Sequence, residues 1–308
     1  MEIWICVITK WEELYIKEWL DWNKKIGITH IIIGDNNDLD YTPKLSDVIQ
    51  DYINEGYVEI IDVHGKTSYQ NEFNNLIYHK YLGKFDWLGF IDPDEFLYFP
   101  QTNNNAQEFF KQKIFDNFDA ILFIWKNYGD CGKLYYEDKP VQKRFTYTSR
   151  SNNLEEYKEC KYFIKSNNNV KKLISHNSPL NNELYNNDIK FRVCDVCGKD
   201  DFKICINKIW DNINFRKIKL NFKYYNTAYI KHFITKTVEE YIKFKILKGR
   251  IERREAVDVM DSRYNKGLFY FHNNYTLEKE KIFDQYKDQV CNFRKTIIKD
   301  YNDKNFLD

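Results

Sequence analysis

The 308-residue chain contains no run of about 18 consecutive apolar residues, the length that a membrane-spanning helix requires. It also has no excess charge of either sign, because 47 Lys and Arg residues balance 46 Asp and Glu residues. That balance excludes a global attraction to nucleic acid, so we expect no nucleic-acid partner. The start "MEIWICVITK" is a short apolar stretch without a basic leader, which predicts a buried first strand rather than a targeting signal. We therefore expect a cytoplasmic protein without a transmembrane segment, in peripheral contact with a membrane at most.

Glycine and cysteine are also scarce. None of the 11 glycines forms a Gly-rich phosphate loop, which counts against a nucleotidyltransferase without excluding one. The seven cysteines are odd in number and lack the spacing of a disulfide framework, which indicates a reducing compartment. Cys194 and Cys197 form a single CxxC with Cys205 nearby, and one such pair is only a weak indication of zinc.

Buried strands alternate with helices over the first hundred residues. The strands are expected at "IWICVIT", "THIIIGDNN", "YVEIIDV" and "WLGFID", with amphipathic helices between them. Such alternation implies right-handed crossovers and an α/β fold with a mixed, mainly parallel sheet flanked by helices. Ligands bind such sheets at the carboxyl ends of the strands. Near the C-terminus, helical spacing from Phe283 to Ile297 predicts a helical segment that packs on the domain or on a second subunit, which would allow a homodimer.

The stretch "FDWLGFIDPDEFLYFP" carries an acidic turn between two apolar runs. Asp92 and Asp94 are two residues apart, so in an extended backbone they project to the same side, and Pro93 turns the chain there. Close carboxylates repel unless a cation lies between them, and Mn²⁺ or Mg²⁺ prefers oxygen ligands. A bare D-x-D is usually a solvated turn. Here it follows a buried strand, lies at the sheet edge where ligands are expected, and is followed at once by apolar residues. These three features favour a site for a metal ion and a diphosphate. Glu95 adds a third carboxylate.

Three segments, taken in order, resemble the glycosyltransferases of family 92 and their relatives in the broad family-2 group. They are "CVITKWEELYIKEWLDWNKKIGITHIIIGDNND", "YQNEFNNLIYHKYLGKFDWLGFIDPDEFL" and "YIKHFITKTVEEYIKFKILKGR", which together extend over residues 5 to 250. The resemblance implies a GT-A fold within residues 1–260, with a nucleotide half over about 1–100, an acceptor half over about 101–260, and a C-terminal helical extension over 261–308. Departures at Trp11, Asn37, Thr237 and Lys248 leave the sugar open.

Site residues are carried over from the resemblance one position at a time. It implies metal binding by Asp92, Asp94 and His232, and an acceptor pocket shaped by Trp125 and Gly129. His176 would line the catalytic site. The donor-binding residues implied are Thr9, Lys10, Glu12, Asp35, Asn36, Gln70, Asn74, Lys231 and Lys236.

A general base must deprotonate the acceptor hydroxyl if the transfer inverts the anomeric carbon. Asp130, Glu95 and Asp195 are candidates by location, with Asp130 first because it follows the segment from Trp125 to Gly129. A retaining mechanism without such a base stays open.

The predicted function is transfer of a sugar from a nucleotide-sugar donor, UDP-linked in the first instance, to a glycan, glycolipid or glycoprotein acceptor. The alternatives are a nucleotidyltransferase and a non-catalytic module that binds sugar nucleotides or glycans. Residues 219 to 254 contain ten Lys or Arg against three Glu, either a solvated face or a surface for phosphate groups of a donor, a lipid-linked acceptor or a membrane.

Overall fold

A computed structural model describes residues 1–66, 69–153, 157–167, 170, 173, 192–200, 204–206, 216–219, 221–248, 266–287 and 289. The chain forms two compact units. The first consists of Met1–His64, Gln70–Lys126 and Glu155–His232, and the second of Gly65–Tyr69, Asn127–Leu154 and Phe233–Asp308.

The strands are β1 (Ile3–Thr9), β2 (His30–Asp35), β3 (Val58–Asp62), β4 (Trp87–Phe90), β5 (Glu95–Tyr98), β6 (Ala120–Asn127), β7 (Tyr157–Lys158), β8 (Cys160–Lys165), β9 (Val193–Asp195), β10 (Ile204–Ile206), β11 (Arg216–Lys219) and β12 (Tyr229–His232). The α-helices are α1 (Ile16–Ile26), α2 (Leu45–Val48), α3 (Gln50–Asn54), α4 (Gln70–Lys80), α5 (Ala106–Phe110), α6 (Val141–Arg144), α7 (Lys223–Thr227), α8 (Val238–Tyr241), α9 (Lys266–His272) and α10 (Leu277–Gln285). Short 3-10 turns lie at Pro100–Thr102, Lys113–Phe115 and Arg150–Asn153, and a π-helical turn at Ile242–Leu247 continues α8.

Among the described residues, the large sheet has the strand order β3-β2-β1-β4-β8-β6-β12-β5, and β9 pairs with β6. β1, β2, β3 and β4 run parallel to their neighbours in this group, whereas β8 joins antiparallel between β4 and β6. The four strands predicted from the first hundred residues are therefore confirmed, as is the α/β class with a mixed, mainly parallel sheet.

Hydrophobic burial explains why these strands form the centre. Ile5, Ile31 and Ile32 are completely buried, as expected for a sheet covered on both faces. On the β4 side, Phe99, Phe109, Phe110, Phe123 and Phe163 pack against one another with ring centroids 4.9 to 6.1 Å apart. These five phenylalanines thus form part of the core.

The predicted first helix is confirmed as α1. Its Trp19 is fully buried, and Gly27 ends it with φ of 94°, a left-handed conformation that glycine adopts without steric cost. The single helix predicted at "LSDVIQDYINEG" is two short helices, α2 and α3, because the backbone departs from helical geometry at Ile49.

In the second unit, Thr237 is the N-cap of α8, and its side chain and that of Glu240 form a capping box. Glu240 also accepts two hydrogen bonds from the buried Arg144 guanidinium, at 2.7 and 2.8 Å. Val238, Tyr241 and Ile242 pack with Phe269 of α9 and Ile282 of α10 in one apolar cluster. Helices α9 and α10 therefore contribute to this core, whereas most of the helical spacing predicted from Phe283 to Ile297 lies outside the described residues.

The part of the chain that the structure describes contains no helix with the length and apolar character needed to cross a membrane.

Candidate functional site

The carboxyl ends of the parallel strands bring several predicted site residues to one edge of the first unit. β1 ends at Thr9, which is paired in register with Asp35 at the end of β2, and Asp35 is in turn paired with Asp62 at the end of β3. Thr9, Lys10, Asp35 and Asn36 are all buried. The structure thus assembles these predicted donor residues at one place.

The loops after β1 and β2 are tied together by side chains. Lys10 Nζ lies 3.1 Å from Asp38 Oδ1, and the Trp11 backbone N–H donates to Asn37 Oδ1 at 2.7 Å. Trp11 has φ of 53°, an unusual left-handed conformation for a large residue, and its ring stacks on that of Tyr41 with centroids 5.6 Å apart. A strained residue held by such a network marks a constrained surface. In the sequence, Trp11 is visible only as a departure from the family pattern.

Two further residues complete this edge. The predicted donor residue Glu12 is half-buried, and its carbonyl accepts the backbone N–H groups of Tyr15 and Ile16 at the start of α1. His64, which sequence reasoning did not select, lies with Nε2 3.6 Å from Asp35 Oδ2 and Nδ1 2.5 Å from Asp62 Oδ1.

The acidic turn connects β4 to β5. The Glu95 N–H donates to the Asp92 carbonyl at 2.9 Å, and the Asp92 N–H donates to Glu95 Oε2 at 3.0 Å. Glu95 is fully buried, and its carbonyl accepts the Trp19 indole N–H at 2.8 Å. Burial raises the pKa of Glu95 well above its ordinary value, although the nearby Lys161 ammonium lowers it. Glu95 therefore lies inside the protein and braces the turn.

Lys161 on β8 is the main functional candidate that sequence reasoning missed. Its Nζ lies 2.7 Å from Asp92 Oδ2 and 3.5 Å from Glu95 Oε2, and its side chain is 2% exposed. Burial disfavours the ammonium, but Asp92 and Glu95 outweigh that effect and raise the pKa of Lys161 above its ordinary range. The available signal was a lone lysine inside the otherwise apolar stretch "CKYFI".

Asp92, Asp94, Glu95, Lys161 and His232 together form what we call the acidic cluster, in which Asp94 lies beside His232. Asp94 Oδ2 lies 3.8 Å from His232 Nε2, and both side chains are less than a tenth exposed. His232 is opposite Glu95 in the β12–β5 ladder, and its ring centroid lies 4.4 Å from that of Trp125. Asp94 and His232 are 138 positions apart in sequence, and the fold of the first unit brings them together.

Lys231, in contrast, is directed away from this cluster. Neighbouring residues of a strand point to opposite faces of a sheet, so Lys231 shares a face with Tyr98 while His232 faces Asp94. Its Nζ lies 3.6 Å from the Tyr98 ring centroid. Burial, together with the like charge of Lys126, lowers the pKa of Lys231 to about 8. The structure does not bring Lys231 together with the other predicted donor residues.

Helix α4 supplies two predicted donor residues. Gln70 Nε2 makes a long hydrogen bond of 3.5 Å to Asp92 Oδ1, so it borders the acidic turn. Asn74 is buried and accepts a contact from the Cys6 thiol at 3.8 Å, behind β1. Gln70 is thus the closer of the two to the acidic cluster.

The second unit contains Gly129, Asp130 and Lys236. Asp130 Oδ2 lies 2.5 Å from Lys279 Nζ, and its N–H donates to Asn273 Oδ1 at 2.7 Å. A side chain at Gly129 would approach the same Asn273 oxygen to 2.8 Å. Lys236 is buried with φ of 53°. Sequence reasoning did not anticipate that Lys279 and Asn273 would hold Asp130.

Of the other predicted catalytic residues, Asp195 accepts the backbone N–H groups of Cys197 and Lys199 and so closes a turn after β9. His176 lies outside the described residues. Cys194 and Cys197 are free thiols.

The acidic cluster fits a divalent cation only in part. Within the described ranges, no three His, Cys, Asp or Glu side chains converge as a complete metal site. Asp94 and His232 can provide one oxygen and one nitrogen ligand, while Asp92 is occupied by Lys161. Mg²⁺ and similar ions commonly take one or two protein ligands and complete their shell with substrate phosphates and water, and this cluster suits that mode.

A family model for glycosyltransferase family 92 matches residues 2–245. The chain belongs to glycosyltransferase family 92. The family resemblance found in the sequence is thereby confirmed, and with it the predicted GT-A fold, whose mixed sheet is the one described above.

Solved structures show more distant similarity. Staphylococcus aureus TarS in complex with UDP is 16% identical with a TM-score of 0.33, over 44% of this chain and 38% of that one. The Pyrobaculum calidifontis mannosyltransferase PcManGT in complex with GDP-Man and Mn²⁺ is 12% identical with a TM-score of 0.31, over 41% of this chain and 36% of that one. The family 92 chain therefore spans well under half of the length of these enzymes. No curated protein sequence matches it significantly.

Proposed function

We propose that this family 92 protein is a metal-dependent glycosyltransferase that moves a sugar from a nucleoside diphosphate donor, UDP in the first instance, to a hydroxyl of a glycan, glycolipid or glycoprotein. The observation that carries the proposal is the buried pair Asp94 and His232, 3.8 Å apart where β4 and β12 end. A buried carboxylate and imidazole that lie side by side, close to the second carboxylate Asp92, favour a ligand-binding role.

The donor nucleotide would bind at the ends of β1 and β2. Thr9, Asp35 and Asn36 offer a hydroxyl, a carboxylate and an amide, which suit the hydroxyls of a ribose and the polar edge of a base. Lys10 would add positive charge beside them, although Asp38 already balances it at 3.1 Å. The stacked Trp11 and Tyr41 rings offer an aromatic surface beside this group.

Asp94 and His232 would hold Mn²⁺ or Mg²⁺ through a carboxylate oxygen and a neutral imidazole nitrogen. When bound, the cation would neutralise charge on the departing diphosphate. Glu95 would brace the acidic turn from the inside, because it is fully buried and already contacts Lys161 and the Asp92 N–H.

Asp130 stays our candidate base for an inverting transfer. Its carboxylate lies 2.5 Å from Lys279 Nζ, and a base in this position would accept the proton of the acceptor hydroxyl. If Asp130 is the base, Asp130→Asn loses transfer but keeps donor binding.

The test is a thermal-shift panel of nucleoside diphosphate sugars with and without Mn²⁺, followed by donor hydrolysis. We expect stabilisation by at least one donor that depends on Mn²⁺, and loss of that dependence in Asp94→Ala. Binding without any turnover of donor or acceptor would instead indicate a non-catalytic sugar-nucleotide module. Absence of stabilisation by every donor would contradict the proposal.

A further inference from the structure

Lys161 enters the acidic cluster from a strand that lies far away in sequence. β8 pairs antiparallel with both β4 and β6, so Lys161 lies in the centre of the sheet, opposite Phe123 in the β6 ladder. A lysine at such a position pays a large desolvation cost unless carboxylates surround it. Its contacts with Asp92 and Glu95 provide that compensation.

These contacts divide the two carboxylates of the D-x-D stretch between different partners. Both Asp92 oxygens are engaged, Oδ2 by Lys161 at 2.7 Å and Oδ1 by Gln70 at 3.5 Å. Asp94 instead lies beside His232. An ammonium in hydrogen-bond contact with Asp92 competes directly with any divalent cation for the same oxygen.

The local charges also disfavour binding of a divalent cation without a diphosphate. With Lys161 on Asp92, a cation between Asp94 and His232 meets one carboxylate ligand, that of Asp94, and a fixed positive charge nearby. Hard cations of this type need several oxygen ligands, and two protein ligands are too few to hold one firmly. A diphosphate would supply the missing oxygens and negative charge.

We propose that Lys161 is a positioning residue that occupies Asp92, so that the site takes up a divalent cation only together with the diphosphate of the donor. The inference rests on the proposed function, since it concerns the same metal and donor. It assigns Lys161 a role in the order of binding, beyond its role in stabilising the turn.

The experiment measures the affinity of the full-length protein for Mn²⁺ alone, from the signal of free Mn²⁺ in electron paramagnetic resonance. Lys161→Met frees Asp92 as a second carboxylate ligand and removes a nearby positive charge, so we expect Mn²⁺ to bind at least about tenfold more tightly than in the wild type. Lys161→Arg keeps the charge and the contact and should resemble the wild type. Lys161→Met combined with Asp92→Asn should lose the gain.

Two results would overturn the inference: no gain in Lys161→Met, or a gain that persists when Asp92 is also replaced. If Lys161→Met does not fold, as judged by circular dichroism, the inference is tested on the wild type alone, by measuring its Mn²⁺ affinity with and without UDP. The wild type must then bind Mn²⁺ at least about tenfold more weakly without UDP than with saturating UDP, since a diphosphate adds two negative charges or more. Equal binding refutes the inference.

Failure of this inference can be separated from failure of the proposed function. If the wild type is stabilised by a donor with Mn²⁺ but Lys161→Met shows no change in Mn²⁺ affinity, only the role of Lys161 is wrong. If neither Mn²⁺ nor any donor binds the wild type, the proposed function itself fails.

Discussion

At the scale of single residues, the acidic turn is organised by what each carboxylate contacts. Glu95 is inside the protein, Asp92 is bound by Lys161, and Asp94 lies beside His232. The three acidic residues between positions 92 and 95 therefore have three different environments. The sequence pattern shows only their spacing, because the partners come from β8 and β12.

His232 is expected to bind metal together with Asp94. His232→Ala should weaken Mn²⁺ binding in the presence of UDP by at least about tenfold, the loss seen even when an outer partner of a metal ligand is removed. The measurement is calorimetric titration of Mn²⁺ into the UDP-saturated protein. His79→Ala is the matched control, because His79 is an exposed imidazole at the end of α4. Equal affinities in the two variants would rule out His232 as a ligand.

Lys231 should titrate unusually early. Its pKa is lowered to about 8 by burial and by the like charge of Lys126, so Lys126→Met should raise it towards the ordinary lysine value. A cation with a depressed pKa binds fewer protons in the folded state, so the stability of the protein should rise with pH from about 8 to about 10 through this group. Lysine-resolved NMR titration measures the pKa of Lys231 directly. An unchanged pKa in Lys126→Met would contradict the assigned cause.

At the scale of elements, the spacing of apolar residues in the sequence was enough to predict β1 to β4 and α1, because each of these elements is buried through residues at regular positions. It could not predict that β8 would lie between β4 and β6, since that pairing joins residues more than 70 positions apart and has no local signature. Lys161 was missed for this reason. The placement of Lys231 was within reach, because adjacent strand residues face opposite sides.

Gly89 in β4 is required by the close approach of β8. A side chain at this position would meet the Phe163 ring at 2.4 Å, a distance that no packed structure tolerates. We expect Gly89→Ala to lower the free energy of unfolding by about 1–3 kcal/mol, the range for overpacked cores. Urea denaturation followed by fluorescence measures the change.

The companion variant for Gly89 is Gly89→Ala with Phe163→Leu. The smaller side chain vacates the space of the ring, so the double variant should recover part of the loss relative to the sum of the two single changes. Strict additivity of the two effects would mean that Gly89 and Phe163 are not coupled as described.

At the scale of the whole molecule, the family match ends at residue 245, yet helices α9 and α10 continue beyond it. They contribute Phe269 and Ile282 to the apolar cluster of the second unit, and Asn273 and Lys279 to the surroundings of Asp130. Dimerisation through these helices, cytoplasmic location and membrane contact stay predictions. The division of the chain into a nucleotide half and an acceptor half near residue 100 also stays a prediction.

The C-terminal helices are expected to be an integral part of the fold. Phe269→Ala should cost about 3–5 kcal/mol of unfolding free energy, because Phe269 is fully buried. Phe271→Ala, two residues later on the same helix and 39% exposed, should change it by less than about 0.5 kcal/mol. Thermal denaturation of both variants checks this. Indistinguishable melting temperatures would mean that the segment is a dispensable appendage.

The pairing of β12 with β5 also limits how the chain can change in length. A shift of one residue in this ladder would move Lys231 into the position that His232 occupies opposite Glu95, placing an ammonium beside Asp94. The link from α7 to β12 is the single residue Ala228, so an insertion or deletion there would move His232 away from Asp94, its partner in the proposed metal site, without altering either side chain. Among related chains, we expect gaps at this position to be rare.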